Sequence, residues 1–263
     1  MLYIDVPYEE KDEAKSLGAK WDSNKKKWYV TDKSQYPEFV KWIVGNCEDV
    51  VNIICDEFYV VETKRICYKC GKPTRVIGFA VSSFFDITND YDNLTFDFYE
   101  NDFCIESSLE FLSQNFLQYL KNQYNYYPSY SKTLKRKYVA NHCDHCKALQ
   151  GDFHLFCEPS SPFFIDTIEK AQNLKFYRFK LSHDIVIYDG LSYSDEKSLE
   201  LVNEYSKFFR IYNSGIYSAL DDSFLKESED DFRQLISGLK SNICILHSSL
   251  VGTNIDIDAI EEG

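Results

Sequence analysis

Two cysteine pairs with metal-ligand spacing are the clearest chemical signal in this chain of 263 residues. Cys67 and Cys70 form a Cys-x-x-Cys pair that runs into Gly-Lys-Pro, and Cys143 and Cys146 repeat the spacing after 72 intervening residues. Two cysteines three positions apart can bring both sulfurs to one ion at about 2.3 Å, with the amides of the turn directed at the thiolates. The four cysteines together predict one bound zinc ion in a split, zinc-ribbon-like domain.

We expect this zinc to be structural, because four thiolates close the coordination shell, whereas a catalytic zinc keeps one position open for water. The sequence lacks the deaminase and His-Glu-x-x-His signatures, and it also lacks Walker A, GxGxxG and GxSxG motifs. These observations predict a protein that is not an enzyme and has no small-molecule substrate. The ligand set has an open alternative, since several nearby residues could replace one cysteine: His142, His145, His154 and Cys157.

The elements around the two pairs must be folded, because a structureless connection of 72 residues is rare in a compact protein. The apolar run at 50–62 and the alternation at 95–99 predict strands. Ser107 and Glu110 have the spacing of a capping box and predict the start of a helix. We therefore expect an α+β fold with a small domain at 1–46, a split zinc domain at 47–160 with a folded insert at 71–142, and a C-terminal α+β segment at 161–263.

The first 45 residues predict a compact βαβα unit. Residues 2–6 and 27–30 have the character of short strands, and Gly18 and Gly45 each follow a helical pattern at a position suited to ending it. The pattern V-P-Y-x-E-K-D-E-A-K-x-L-G-A-K-W-D…K-x-W-Y-V, carried by residues 6–22 and 27–30, resembles a small bacterial and phage family, the domain of unknown function numbered 5710. The resemblance implies a small accessory fold with no established activity, found in conjugation- and phage-associated proteins beside primase- or topoisomerase-like modules.

Two basic patches are candidates for nucleic-acid contact. The first is the turn between Trp21 and Trp28, which carries Lys25, Lys26 and Lys27. Aromatic rings beside lysines can stack on bases and neutralise phosphates, but so small a unit also needs its large side chains for burial, and we expect both tryptophans to pack in its core. The second patch precedes the second cysteine pair and consists of Lys132, Lys135, Arg136 and Lys137.

The net charge of −13 comes entirely from residues 81–263. Residues 1–80 carry 13 basic and 13 acidic residues, which leaves 16 basic and 29 acidic residues for positions 81–263. No lysine or arginine occurs from 76 to 120, where acids alternate with aromatics. Such a surface attracts basic partners and repels nucleic acid. The candidate partner-binding residues are Asp86, Asp90, Asp92, Asp97, Glu100 and Asp102.

Two functional interpretations follow. In the main one, the chain is an acidic, zinc-stabilised binding module that docks a basic protein, as an immunity protein neutralises a toxin. In the alternative, it is a nucleic-acid-associated accessory protein of a phage or conjugative system. The start of the chain lacks the character of a signal peptide, and no apolar run reaches the ~18 residues of a membrane helix, so we expect a cytoplasmic protein with no membrane contact.

Overall fold

The computed structural model describes residues 1–45, 50–90, 93–109, 111–188, 190–211 and 251–252. The elements, in chain order, are β1 (Leu2–Ile4), α1 (Lys11–Ser16), β2 (Lys20–Asp22), β3 (Lys27–Val30), α2 (Val40–Val44), β4 (Val51–Ile54), β5 (Glu57–Ile66), β6 (Pro73–Asp90), β7 (Asn93–Glu106), α3 (Gln114–Tyr124), β8 (Tyr126–Ser131), β9 (Arg136–His142), β10 (Leu149–Gln150), α4 (Ile168–Gln172), β11 (Lys175–Lys180), β12 (Ile185–Ile187), α5 (Glu196–Tyr205), β13 (Lys207–Ile211) and β14 (Val251–Gly252). Short 3-10 segments at Tyr8–Glu10 and Lys33–Phe39 precede α1 and α2, and a π-helical turn spans Phe153–Cys157. The mixture of helices and sheets confirms the α+β class.

The chain forms two compact units, and neither follows one continuous segment. The first consists of residues 1–57, 82–102 and 181–191, and the second of 58–81, 103–180 and 192–263. This division differs from the three sequential domains expected at 1–46, 47–160 and 161–263. The reason is long-range strand pairing, since β4 pairs with the second half of β6 and β12 pairs with β4. That pairing joins residues 82–102 and 181–191 to the N-terminal residues, and it divides the folded insert.

In the first unit, the N-terminal residues form a three-stranded antiparallel sheet in the order β1-β3-β2. Leu2 pairs with Val30 and both side chains are buried. Helix α1 ends before Gly18, whose φ of +102° is a conformation that glycine adopts readily. The predicted strands and helices are therefore present, but β2 is additional. Its Lys-Trp-Asp sequence is largely exposed and has no apolar alternation from which a strand could be predicted.

In the second unit, β5 and the first half of β6 form a long antiparallel hairpin, with Tyr59 opposite Ala80 and Ile66 opposite Pro73. Strand β11 lies next to β5 and pairs in parallel with β13, after a connection that includes α5. A separate antiparallel sheet has the order β10-β9-β8. The buried core of this unit includes Tyr59, Val61, Val76, Ala80, Phe103, Leu155, Phe163, Ile165, Ala171, Leu174, Phe176 and Val202.

Helix α3 begins later than the sequence predicts. Its N-cap is Ser113, whose side chain accepts a hydrogen bond from the Phe116 amide at 3.2 Å, and it ends at Asn125 in the left-handed conformation. The capping box predicted at Ser107 is therefore wrong, since Ser107 lies seven residues before the helix, and Glu110 lies outside the described residues. Any serine placed three residues before a free backbone amide of the first helical turn can cap that amide, and Ser113 does so here instead of Ser107.

Candidate metal centre

The two cysteine pairs lie in turns of nearly identical construction. The first connects β5 to β6, and the second connects β9 to β10. In the first turn, the Cys67 amide donates to the carbonyl of Lys72 at 2.9 Å, and the Gly71 amide donates back to Cys67 at 2.9 Å. Gly71 has a φ of +69°, the left-handed conformation that this turn requires.

The second turn repeats each of these features. The Cys143 amide donates to the carbonyl of Ala148 at 2.9 Å, and the Lys147 amide donates back to Cys143 at 3.1 Å. Lys147 occupies the position of the glycine, with a φ of +57°. A non-glycine residue in this region is uncommon and is kept where the surroundings enforce it. These two matched turns, residues 67–72 and 143–148, are called the first and second knuckles. They present four sulfurs from two separate parts of the second unit.

The four sulfurs converge at the spacing of a tetrahedral metal site. The Sγ atoms of Cys67 and Cys146 are 3.7 Å apart, as are those of Cys70 and Cys143, and all four lie within 4.8 Å of one another. A regular tetrahedron with metal–sulfur bonds of about 2.3 Å has sulfur–sulfur edges of ~3.8 Å. Disulfide bonding would instead require a sulfur–sulfur distance of about 2.05 Å. The cluster therefore fits one metal ion with four thiolate ligands.

Hydrogen bonds from the knuckle amides favour thiolate at two of the four positions. Burial opposes ionisation of Cys67, but the amides of Cys70 and Lys69 and the neighbouring thiols lower its pKa to about 6. Burial likewise opposes ionisation of Cys143, and the amides of Cys146 and His145 lower its pKa.

The pKa of Cys70 is shifted in the opposite direction from those of Cys67 and Cys143. The pKa of Cys70 is lowered by the Lys72 amide but raised more by burial and by its three cysteine neighbours, and it lies at about 11. One thiolate next to a protonated thiol is the arrangement expected when several acidic groups share one small space. Metal ligands must be deprotonated, so a cation that binds here releases protons from this set.

Polar contacts behind the ligands fasten the two knuckles together. The Asp144 carboxylate accepts from the Arg75 amide at 3.0 Å and from the Asn125 side chain at 2.8 Å, and its own amide donates to Thr74 Oγ1 at 2.9 Å. Arg75 also forms an ion pair with Asp144 at 3.3 Å. The pKa of Asp144 is lowered because these hydrogen bonds and the Arg75 charge outweigh its burial. Such contacts hold ligands in place as outer-shell partners do in metal proteins.

A buried amide adds a second connection between the two parts of the site. Asn141 is fully buried in β9, where its Oδ1 accepts from the Ile77 amide at 2.7 Å and its Nδ2 donates to the Ile77 carbonyl at 2.8 Å. At Ile77, the Asn141 side chain therefore makes the two backbone hydrogen bonds that a neighbouring strand would make with β6. Neither Asp144 nor Asn141 was predicted from the sequence to support the metal site. For Asp144 the signal was its place between Cys143 and Cys146, but no local pattern marks Asn141.

The alternative ligands lie outside the cluster. His145 Nε2 is 3.0 Å from the Pro73 carbonyl, and His154 Nδ1 is 2.7 Å from a carboxylate oxygen of Glu158. His142 Nε2 is 2.9 Å from Ser129 Oγ, and Cys157 is exposed. Among the residues that the structure describes, the only group arranged for a metal is the four-cysteine cluster.

The first basic patch lies on an aromatic groove of the first unit. Trp21 is 51% exposed, which makes the prediction of its burial wrong, whereas Trp28 is partly buried against the core as expected. The difference arises because Trp21 is on β2, the outer strand, directly opposite Trp28. A cavity of about 590 Å³ is lined by Ile4, Asp5, Val6, Pro7, Tyr8, Lys11, Trp21, Lys26, Lys27 and Trp28. Lys25 is exposed but is not part of this lining, and its Nζ lies 4.8 Å from the centroid of the Tyr3 ring.

The second basic patch is the tip of the β8–β9 hairpin in the second unit. Its four cationic side chains are exposed: Lys132, Lys135, Arg136 and Lys137. Tyr130 is 57% exposed and is paired across the hairpin with Lys137. At the other end of this hairpin, β9 runs directly into the turn that carries Cys143 and Cys146.

The acidic candidates do not form one exposed row. Asp97 and Glu100 are exposed on β7, whereas Asp86 and Asp102 are partly buried. Aromatic packing dominates this stretch, since Phe96 and Phe98 both contact Phe85, with ring centroids 5.0 and 4.6 Å apart. The structure describes the backbone of Asp90 as the end of β6, and Asp92 lies outside the described residues.

The fold and the site define an α+β protein with a split cluster of four cysteines that fits one metal ion. More particularly, residues 1–43 match the family described as Domain of unknown function (DUF5710), which confirms the resemblance. Two relatives, each named "DNA primase TraC" from Escherichia coli, are 56% identical over 43 residues and 48% identical over 40 residues. These segments cover 16% and 15% of this chain but only 3% and 4% of the relatives, and no solved structure matches. None of the helices in the described part of the chain is long and apolar enough to cross a membrane.

Proposed function

We propose that this protein is a non-enzymatic, zinc-stabilised accessory protein that binds nucleic acid in a DNA-processing system of the conjugative type. One observation carries the proposal: the module that resembles a segment of DNA primase TraC exposes aromatic rings beside a run of lysines. Aromatic faces and cationic side chains together are the usual means of binding single strands. Both relatives carry the name of a primase, and no priming activity is proposed for this chain.

The metal centre supports a structural role for the ion. Zinc suits four thiolates in tetrahedral arrangement, and the sulfur spacing fits its bond length. When bound, it supplies folding energy and holds the β5–β6 and β9–β10 turns together, since a closed shell leaves no position for substrate. The proposal of a non-enzymatic protein rests on this closed shell.

The basic hairpin gives the second unit a nucleic-acid surface of its own. Four exposed cations and the exposed Tyr130 project from the β8–β9 hairpin, and β9 runs directly into the second knuckle. The net charge of −13 opposes binding of any polyanion, so contacts must be local and strongly dependent on salt. The inhibitor interpretation has weaker support, because the acidic candidates are divided between exposed and partly buried positions and the comparisons point to no toxin inhibitor.

Fluorescence anisotropy tests the proposal with the full chain and labelled single-stranded and duplex DNA at about 50 mM salt, where phosphate contacts are strongest. We expect binding that weakens steeply as salt is raised. The variant Lys132→Glu/Lys135→Glu should bind more weakly, whereas the control Lys180→Glu, which changes an exposed lysine at the end of β11, should not. Absence of binding to either DNA at this salt would refute the proposal.

A further inference from the structure

The exposed aromatic side chains of the N-terminal module are not needed to complete its core. Leu2, Ile4, Val30 and Phe39 are almost fully buried and fill the interior beneath the three-stranded sheet. Trp21 and Tyr8 remain 51% and 76% exposed and line the same groove. A single exposed apolar side chain is common, but several gathered in one concave patch mark a binding site.

The geometry of the tryptophans suits a flat, unsaturated ligand. The rings of Trp21 and Trp28 stand 5.5 Å apart at an interplanar angle of 63°, so one indole contacts the other with its edge. This edge-to-face contact fixes the pair, and because one edge meets only one face, at least one face of each indole is left uncovered by the other. Tyr8 adds a third ring, with Lys11 Nζ 3.5 Å from its centroid. The groove therefore has aromatic surface already flanked by a cation.

The charges around the groove favour an anionic ligand. The lining of the groove carries three lysines, Lys11, Lys26 and Lys27, against one acid, Asp5. The Asp22 carboxylate is engaged internally, since it accepts from Tyr3 Oη at 2.8 Å and from the amides of Asn24 and Lys25 at 2.9 and 3.1 Å. The groove's own acid, Asp5, is exposed and pairs with Lys27 at 3.2 Å. An exposed pair of this kind contributes little, and a phosphate can replace the carboxylate.

We propose that this groove binds single-stranded nucleic acid by stacking an unpaired base on the exposed indole of Trp21, which Trp28 holds in place through their edge-to-face contact. Lys11, Lys26 and Lys27 then contact the phosphates on either side of that base. The inference rests on the proposed function and names its ligand: a strand whose bases are free, because the base faces of a duplex are already covered by their neighbours. DNA and RNA share this chemistry, and the experiment compares the two.

The test uses tryptophan fluorescence and anisotropy of the full chain with four twelve-nucleotide probes: oligothymidylate, oligouridylate, an abasic strand with the same phosphates, and a duplex. We expect both base-containing single strands to quench tryptophan emission and to bind about tenfold or more tightly than the abasic strand. The abasic strand needs no protein variant, so it decides the question even if a substitution disturbs folding. Preference for oligothymidylate over oligouridylate would identify DNA as the ligand within the same proposal.

Variants locate the binding. Trp21→Ala should weaken binding of oligothymidylate roughly tenfold and leave the abasic strand unaffected, and Phe153→Ala, which removes an exposed ring in the second unit, should change neither. Equal affinity for the base-containing and abasic strands would overturn the stacking site. If the hairpin variant Lys132→Glu/Lys135→Glu then still weakened binding, nucleic-acid binding would remain and would be assigned to the hairpin of the second unit. Binding of polyglutamate that is lost in Trp21→Ala would instead assign the groove to an acidic peptide.

Discussion

Replacement of Cys67 by serine tests the metal centre, because it removes one of the four sulfur ligands and changes no other side chain. Serine keeps the size of the side chain, but its hydroxyl is far less acidic than a thiol whose pKa lies at about 6. The sulfur of Cys67 is 3.7 Å from that of Cys146, so the substitution removes one corner of the sulfur tetrahedron. Cys143→Ser makes the equivalent change in the other knuckle.

The expected loss of stability follows from the energy of structural zinc. Apparent binding energies of about 10–16 kcal/mol, shared among four ligands, assign ~2.5–4 kcal/mol to each. That is a large part of the ~5–15 kcal/mol that stabilises a whole domain. At ~2–4 °C per kcal/mol for a chain of this size, the melting temperature should fall by about 10 °C. The second unit should lose most, since the two knuckles close it.

Metal content and melting temperature are the two measurements. Wild-type protein should hold one zinc per chain, and the Cys67→Ser protein should bind zinc more weakly and lose it to a chelator concentration that leaves the wild type loaded. Cys157→Ser is the matched control, because Cys157 is an exposed cysteine outside the cluster and should keep both values. A Cys67→Ser protein with full zinc content at that chelator concentration and an unchanged melting temperature would refute the assignment. A variant that stayed folded and lost nucleic-acid binding would show that the ion belongs to the binding surface.

Three further predictions concern the second unit. Asn141→Ala leaves both backbone groups of Ile77 without partners and should lower the free energy of unfolding by about 2–4 kcal/mol in urea, whereas the exposed Asn122→Ala should not. Gly78→Ala should lower the melting temperature, because a Cβ there would stand 2.9 Å from the Phe156 ring, and overpacking costs about 1–3 kcal/mol. Burial raises the pKa of Asp152 to about 6, so the folded state binds a proton that the unfolded state has lost, and stability falls as pH rises from about 4 to 6. Asp152→Asn should therefore be more stable than wild type at pH 7.5, by at most ~3 kcal/mol, and should lose this advantage near pH 4; equal differences at both pH values would contradict the burial argument.

The parts of the structure that the sequence predicted are those governed by local spacing. A Cys-x-x-Cys turn needs only four residues to place two sulfurs, and Gly71 marked the position where the backbone becomes left-handed. The N-terminal strands and helices also follow local signals, such as the glycine after α1. That the two cysteine pairs meet was inferred from ligand number, and the structure brings them within 4.8 Å.

The remaining features depend on contacts between distant residues. The division into two units follows the pairing of β4 with residues 84–87 and with β12, which apolar patterns do not specify. Trp21 is exposed because of the strand it occupies, although its residue type suggested burial. Asn141 acts across 64 positions on Ile77, and Asp144 acts across 69 on Arg75. Polar residues in such roles have no sequence period that distinguishes them from surface residues.

The salt dependence of binding to a single strand shows directly whether this protein binds nucleic acid through contacts between lysines and phosphates. Full-length protein, loaded with zinc, is titrated with labelled oligothymidylate at salt concentrations from about 50 to 200 mM. We expect the logarithm of the association constant to decrease linearly with the logarithm of the salt concentration, with a slope near −0.7 for each phosphate contacted. The slope should be shallower in the Lys26→Glu/Lys27→Glu variant. A wild-type protein that shows no binding at about 50 mM salt, or binding with no salt dependence, would contradict the account.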